Sequence, residues 1–213
     1  MNEQAVKYKN QLYKELARLG KGVGSDKRLE ILDLLSQSPK TVEGIADATG
    51  ISVANTSRHL QILKDSRLVK TVRDGNHVIY RLSSPKITEL IHLLISIGEN
   101  ELSEMKLIQA KADSQDDVKT ISLAEASHTA QESYLLDVRP RDEYAAGHID
   151  SAVNIPLDEL SANLKKIPAN KPIIVYCRGR LCANSNLAAQ LLNQQGFDAY
   201  SLNCSYYDWQ RVN

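Results

Sequence analysis

The sequence predicts two domains: an N-terminal, mainly-α winged helix-turn-helix and a C-terminal α/β domain built on a parallel sheet with helices on both faces. Three observations predict this. Apolar residues recur at three- and four-residue steps through most of residues 5 to 110, interrupted by two β-rich runs around Asp74-Gly75-Asn76. From Tyr134 onward, short apolar runs alternate with helical stretches, as they do when helices cover a parallel sheet. Between about Gln109 and Thr120 the chain is polar and short of large apolar residues, as interdomain connections are. The domains are accordingly placed at 1–112 and 118–213.

Composition separates the halves further. Zero formal net charge over 213 residues hides 17 Lys+Arg against 13 Asp+Glu in residues 1–112, and 9 against 13 in residues 113–213. With 42% hydrophobic residues both halves can bury a core. The start, Met1-Asn2-Glu3-Gln4, lacks a basic-then-apolar layout, and the longest greasy stretch, Ile91 to Ile97, is far too short for a membrane span. A cytoplasmic protein is expected. The three cysteines, Cys177, Cys182 and Cys204, all lie in the acidic half, and an odd number there suits reactive thiols better than a disulfide framework.

The N-terminal elements follow in order. Apolar spacing predicts a helix over Ala5 to Leu19, broken by Gly20 to Gly24, and a second helix capped by Ser25 or Asp26. Thr41 starts a short helix that Gly50 stops, and Ser52 caps the next, in which Val53, Thr56, Leu60 and Leu63 share a face. Two short helices around Thr49-Gly50-Ile51 form a helix-turn-helix. Residues 68–73 and 77–82 flank Asp74-Gly75-Asn76 as a hairpin, the wing. From Ile87 to about Ala110 one long helix is predicted.

A helix entering the major groove needs small polar and basic residues on its exposed side, because base edges offer donors and acceptors and phosphates want cations. Ala54, Asn55, Ser57, Arg58, His59 and Gln61 supply that face, and Arg73 and Asn76 extend it at the hairpin. Six Lys+Arg stand between residues 51 and 82 against Asp65 and Asp74. The run from Ile51 to Val69, with its Ser57-Arg58-His59-Leu60 core and its Leu68-Val69 entry into the wing, resembles the recognition helix of the arsenic-repressor (ArsR) family of bacterial winged-helix regulators. That resemblance implies a homodimer on a palindromic double-stranded operator, paired through the first and last helices of the domain, and favours repression. Many family members sense metals. Here residues 41–50 hold no cysteine and the last helix brings only Glu89 and His92 near each other, so no metal site and no cofactor are expected.

In the C-terminal half, strands are predicted at 134–138, 152–155, 173–176 and 197–202, with helices at 141–146, 157–166 and 183–195. The stretch Tyr176-Cys177-Arg178-Gly179-Arg180-Leu181-Cys182 therefore joins a strand to a helix. Such a loop is an anion cradle, since its N–H groups and the positive end of the helix point at the first loop residue. A cysteine there is favoured as a thiolate, which makes Cys177 a candidate nucleophile, with Arg178 and Arg180 adding positive charge.

Leu136 to Pro156, with the cysteine loop and the Trp209 end, resembles the rhodanese domains. The resemblance covers residues 118 to 213 and implies a small parallel-sheet fold in which Cys177 takes sulfane sulfur from thiosulfate or a related donor such as polysulfide as a persulfide. It also implies that Arg178 and Arg180 bind the anionic donor, that Asp137 and Arg139 brace the loop, and that Glu143 and His148 support the fold. The chain departs from the family at Cys182, in the sixth loop position. It departs again at Asn203 to Asp208, where the usual two glycines are replaced by bulk expected to restrict donors. A phosphatase on the same fold needs an arginine closing the loop, and Ala183 stands there.

Joined, the halves predict a regulator in which sulfur chemistry at Cys177 sets operator affinity. Either Cys182 or Cys204 serves as the resolving thiol. The alternative is a constitutive thiosulfate-type sulfurtransferase that the winged-helix domain merely dimerises; a plain repressor with an inert second domain stands behind both.

Overall fold

A computed structural model describes residues 2–212 and divides the chain into two compact units, one running to Gly98 and the other beginning at Glu99. The first unit is α1 (Glu3–Val23), α2 (Asp26–Gln37), α3 (Val42–Thr49), α4 (Val53–Asp65), β1 (Val69–Asp74), β2 (His77–Leu82) and most of α5 (Pro85–Glu101). Its core gathers Ile31, Leu32 and Leu35 of α2, Ile45 of α3, Leu60 and Leu63 of α4, and Ile87 and Ile91 of α5.

Local chemistry sets the helix-turn-helix. The Thr41 side chain accepts the Gly44 N–H at 3.1 Å and caps α3, Gly50 ends it in the left-handed region at φ 65°, and Ser52 caps α4 by accepting the Asn55 N–H. The wing is an antiparallel pair in register Val69 with Leu82 through Asp74 with His77, turning at Gly75, φ 56°.

Two expectations change here. The glycines after Leu19 do not break α1, which runs through them to Val23. Gly22 is buried there, and a Cβ on it would stand 2.3 Å from Leu68 Cδ1. The glycine is a point of close helix packing instead of a stop. The single long helix expected from Ile87 to Ala110 is two, α5 and α6 (Ser103–Asp113), separated by Leu102 in an extended conformation. A three- and four-residue apolar period continues across a one-residue hinge, so the pattern does not reveal it.

The second unit continues with β3 (Thr120–Ile121), α7 (Leu123–Thr129), β4 (Tyr134–Asp137), α8 (Arg141–Ala146), β5 (Val153–Asn154) and α9 (Leu157–Leu160), which passes into a 3-10 turn at Ser161–Lys166. Then come β6 (Ile173–Tyr176), α10 (Asn184–Gln194), β7 (Ala199–Leu202) and α11 (Tyr206–Gln210). The five strands pair in parallel in the order β3-β7-β6-β4-β5. Helices cover both faces, as the sequence predicts. Leu136, Ile173, Val175 and Ala199 pack with Ala188, Ala189 and Leu192 of α10 on one side. Leu135, Ile174, Tyr176 and Leu202 pack with Ala126 of α7 on the other. Register sets Tyr176 opposite both Asp137 and Leu202, so Val138, Cys177 and Asn203 leave the sheet together at its carboxyl edge, where open α/β sheets hold ligands. Among the described residues, no helix is long and apolar enough to cross a membrane.

Candidate functional site

Two sites emerge, one in each unit. On α4, Thr56, Leu60 and Leu63 are buried, which turns Ala54, Asn55, Ser57, Arg58 and Gln61 outward. His59 is half-buried, and its Nδ1 has no hydrogen-bond partner. Arg73 and Asn76 are exposed in the wing, as are Lys64, Arg67, Lys70 and Arg81. Every residue read as a groove-facing side chain lies on α4 or the hairpin, and all but His59 are exposed.

The second site is the loop between β6 and α10. Gly179 adopts φ 115°, which favours glycine, and a Cβ there would meet Ser205 N at 3.2 Å and Ser205 Cβ at 3.3 Å. The Cys182 N–H donates to Gly179 O at 2.9 Å, closing the loop. This folding brings the Sγ atoms of Cys177 and Cys182 to 3.1 Å. Cys177 is 1% exposed and Cys182 half-buried.

The two thiols share a proton. Cys177, hydrogen-bonded to Cys182 and buried, has its pKa raised. Cys182 accepts that hydrogen bond, and the N–H groups of Asn184 and Arg178 and the charge of Arg178 add to the effect; against the cost of burial its pKa falls to about 6. The hydrogen bond between the two sulfurs can run either way, and the amide hydrogens and the Arg178 charge at Cys182 favour the thiolate there, one turn of the loop beyond the Cys177 to which the sequence points. The reason is that the second sulfur lies inside the cradle and takes amide hydrogens there. Proton transfer across 3.1 Å exchanges the roles.

Cys204 lies on the other side of the sheet. Cys177 belongs to the core facing α10, whereas Cys204 packs with Tyr176 and Leu202 on the opposite face. Burial pushes its thiol up to about 12. The structure brings Cys182 to Cys177 and does not bring Cys204.

Asp137, Arg139, Glu143, Arg178 and Arg180 are each held in an ion pair. Asp137 and Arg139, 0% and 1% exposed, form an ion pair at 2.6 Å, and Arg139 also donates to Gly147 O at 2.8 Å. Its guanidinium lies 5.5 Å from the centre of the Tyr176 ring, and the Tyr176 hydroxyl accepts the Ile149 N–H. Arg178 grips the buried Glu143 with two donors, at 2.9 and 2.7 Å. Arg180 meets Asp113 at 2.9 Å and Glu99 at 3.6 Å. His148 stacks on Tyr144 with ring centroids 3.8 Å apart. Three contributors escape a reading of the sequence: Asp113, and Asn186 and Asn203, which both donate to its carboxylate at 3.0 and 2.9 Å. Asp113 lies in the polar stretch that reads as a connection, and nothing local marks it.

Beside Arg178 a cavity of about 470 Å³ opens, lined by Val138, Pro140, Pro156 and Leu157 together with Arg141, Asp158 and Glu159. Arg141 and Glu159 pair across it at 2.5 Å.

Comparison with known proteins bears on both units. Residues 25–71 match the family described as bacterial regulatory protein, arsR family, and residues 115–212 match the rhodanese-like domain. The chain is 34% identical over 200 residues to the HTH-type transcriptional regulator Rv0324 of Mycobacterium tuberculosis, covering 93% of this chain and 88% of that protein. It is 33% identical over 93 residues to the uncharacterized protein YqhL of Bacillus subtilis, covering 43% of this chain and 72% of that one. Among solved structures, the homodimeric winged helix-turn-helix DNA-binding domain of Mb0332 from Mycobacterium bovis, a possible ArsR-family regulator, is 36% identical. It covers 45% of this chain and 89% of that one, with a TM-score of 0.43.

Proposed function

Because the chain belongs to the arsR family of bacterial regulatory proteins, as a DNA-binding transcriptional regulator whose winged helix precedes a rhodanese-like domain, we propose that sulfane sulfur taken up at Cys177 sets its affinity for operator DNA. The single observation that carries this reading is the 3.1 Å approach of Cys182 Sγ to Cys177 Sγ. A thiolate at Cys177, its proton held by Cys182, attacks the outer sulfur of a donor R–S–SH. One S–S bond forms as another breaks, and RS⁻ leaves and takes the proton back from Cys182. Cys182 then attacks Cys177 Sγ and expels HS⁻, so that two thiols become a disulfide and the sulfane sulfur is reduced to sulfide. No outside oxidant is needed.

The regulator acts in the cytoplasm as a homodimer. An apolar stripe on α1 supports this, with Tyr8, Leu12, Leu16 and Leu19 between 40% and 66% exposed, as does Leu90, Leu94 and Ile97 on α5, between 37% and 49% exposed. Closing the disulfide shortens the S–S separation from 3.1 Å to about 2.05 Å and reshapes the loop that holds Arg180 against Glu99, close to the end of α5. A coupling of about 1 to 3 kcal/mol, roughly 5- to 150-fold in affinity, is enough for regulation.

Titration of the DNA upstream of the protein's own gene, with reduced protein and again after polysulfide treatment, tests the reading. A shift within that range that disappears in Cys177→Ser supports it, and equal affinities overturn it. A thiocyanate assay run alongside separates it from the sulfurtransferase alternative, since fast turnover without any DNA shift favours the enzyme.

A further inference from the structure

We propose that α6 is latched to the cysteine loop through Arg180, held by Asp113 and Glu99, and that closing the Cys177–Cys182 disulfide opens this latch. The inference rests on the reading above in which Cys182 resolves Cys177, and it names the element that responds.

No residue of α6 is buried, so apolar packing contributes little to its hold and polar contacts take that part. Gln109 donates to Glu99 Oε1 at 3.0 Å, and Arg180 Nε lies 3.6 Å from the same oxygen. At the end of the helix, Asp113 accepts hydrogen bonds from Arg180 at 2.9 Å, Asn186 at 3.0 Å and Asn203 at 2.9 Å. Both amides are oriented for this, since the Asn186 oxygen accepts Ser201 Oγ at 2.6 Å and the Asn203 oxygen accepts Ser185 Oγ at 3.1 Å. Of the three donors, Arg180 alone stands between the two cysteines. Glu99 and Asp113 both precede residue 115, where the match to the rhodanese-like domain begins, so the latch draws on residues outside that module.

The loop transmits the closure to Arg180 because its other members are pinned. Cys177 directly follows β6, and Arg178 is tied by two hydrogen bonds to the buried Glu143. Gly179 accepts the Cys182 N–H, and a Cβ on it would stand 3.2 Å from Ser205 N, so it has no room to retreat. Arg180 and Leu181 are left to move, and Leu181 is 57% exposed. Drawing the sulfurs from 3.1 Å to about 2.05 Å shifts this part of the loop by about 1 Å, enough to take a 2.9 Å hydrogen bond out of range. The hold on Arg180 therefore opposes closure. By reciprocity, releasing Arg180 should ease it.

The test equilibrates the full-length protein with glutathione buffers, in which the dithiol gives up two electrons and two protons to glutathione disulfide and yields one protein disulfide and two glutathione thiols. Alkylation and intact mass count the remaining thiols. Asp113→Asn puts an amide N–H₂ against Arg180 while keeping an oxygen for Asn186 and Asn203, and it should shift the equilibrium at least about fivefold toward the disulfide. Arg180→Gln should shift it likewise, and the double variant no further. Gln190→Ala, which removes a 2.8 Å hydrogen bond to Asp116 O and leaves Arg180 alone, should not shift it. Hydrogen exchange gives the second readout: amides of α6 should exchange at least about fivefold faster in the disulfide form of the wild type, and equally fast in both forms of Asp113→Asn. An unshifted equilibrium in Asp113→Asn, or equal α6 exchange in the two wild-type forms, overturns the latch and leaves the resolving role of Cys182 standing. Absence of any Cys177–Cys182 disulfide in the wild type, with glutathione disulfide or polysulfide, removes that role and the latch with it.

Discussion

Arg139, wholly buried, donates to Asp137 at 2.6 Å from a position only two residues along the chain. Asp137 also accepts the Arg139 backbone N–H at 2.9 Å, so one carboxylate fixes both the main chain and the side chain of its partner. The guanidinium passes this order on to Gly147 and to the ring of Tyr176, the residue before Cys177. Removing one member of a buried pair leaves the other charged and unpartnered, at a cost of about 3 to 5 kcal/mol.

Asp137→Ala should therefore destabilise the second unit by that amount and leave the first untouched. Urea unfolding followed at Trp209, the single tryptophan, reads the second unit alone. A loss under about 1 kcal/mol is incompatible with the pair bracing the loop.

The two glycines inside α1 should respond in opposite senses. Gly20 has nothing within 4 Å of a would-be Cβ, so Gly20→Ala should stabilise the helix by about 0.5 to 1 kcal/mol. Gly22 would drive its Cβ into Leu68 and Ser66, and Gly22→Ala should cost about 1 to 3 kcal/mol. Thermal unfolding of the two variants side by side decides whether close packing explains why the helix runs on past Leu19.

These glycines show where a sequence stops being legible. Short-range features read well: the Thr41 and Ser52 caps, the Gly50 stop, the Asp74-Gly75-Asn76 turn and the strand-cysteine-loop-helix order are each decided within a few residues. A glycine's partner across the fold is not, and Gly22 reads as a breaker until Leu68 is seen above it. The same holds at the site. Cys182 is near Cys177 because one tight loop holds both, whereas Arg178 finds Glu143 from 35 residues away and Arg180 finds Asp113 from 67. The placement of Cys204 depends on the register of β6 with β7, which puts it on the opposite face. Two short helices carry their signal locally, since Ser122 with Glu125 and Ser205 with Asp208 are both capping boxes.

On DNA, the wing and the recognition helix should fail differently. Arg73→Ala removes a cation from the exposed hairpin, so binding should weaken by a similar factor on every sequence and the slope of log affinity against log salt should fall by about 1. Asn55→Ala removes an exposed amide from the first turn of α4 and should cost about 1 to 3 kcal/mol on the best site and little on random DNA. Fluorescence anisotropy at several salt concentrations, on specific and scrambled duplexes, separates the two. Equal losses on both duplexes for Asn55→Ala would remove it from base readout.

The shared proton of the cysteine pair makes the last prediction. Cys182 ionises near pH 6, so its thiolate is present above that pH and lost as pH falls through it. Alkylation of the loop by iodoacetamide, followed on the tryptic peptide, should rise with pH around a midpoint of about 6, while Cys204, pushed up to about 12, stays unmodified at neutral pH. The largest cause of the low value is the hydrogen bond from Cys177. In Cys177→Ala that donor is gone, and the Cys182 midpoint should move up toward the ordinary thiol value of about 8.5. It should stop short of it, because the Asn184 and Arg178 amides and the Arg178 charge remain. An unmoved midpoint would assign the thiolate to the amide cradle alone. Cys177 would then be a neighbour of the reactive sulfur, with no share in its proton.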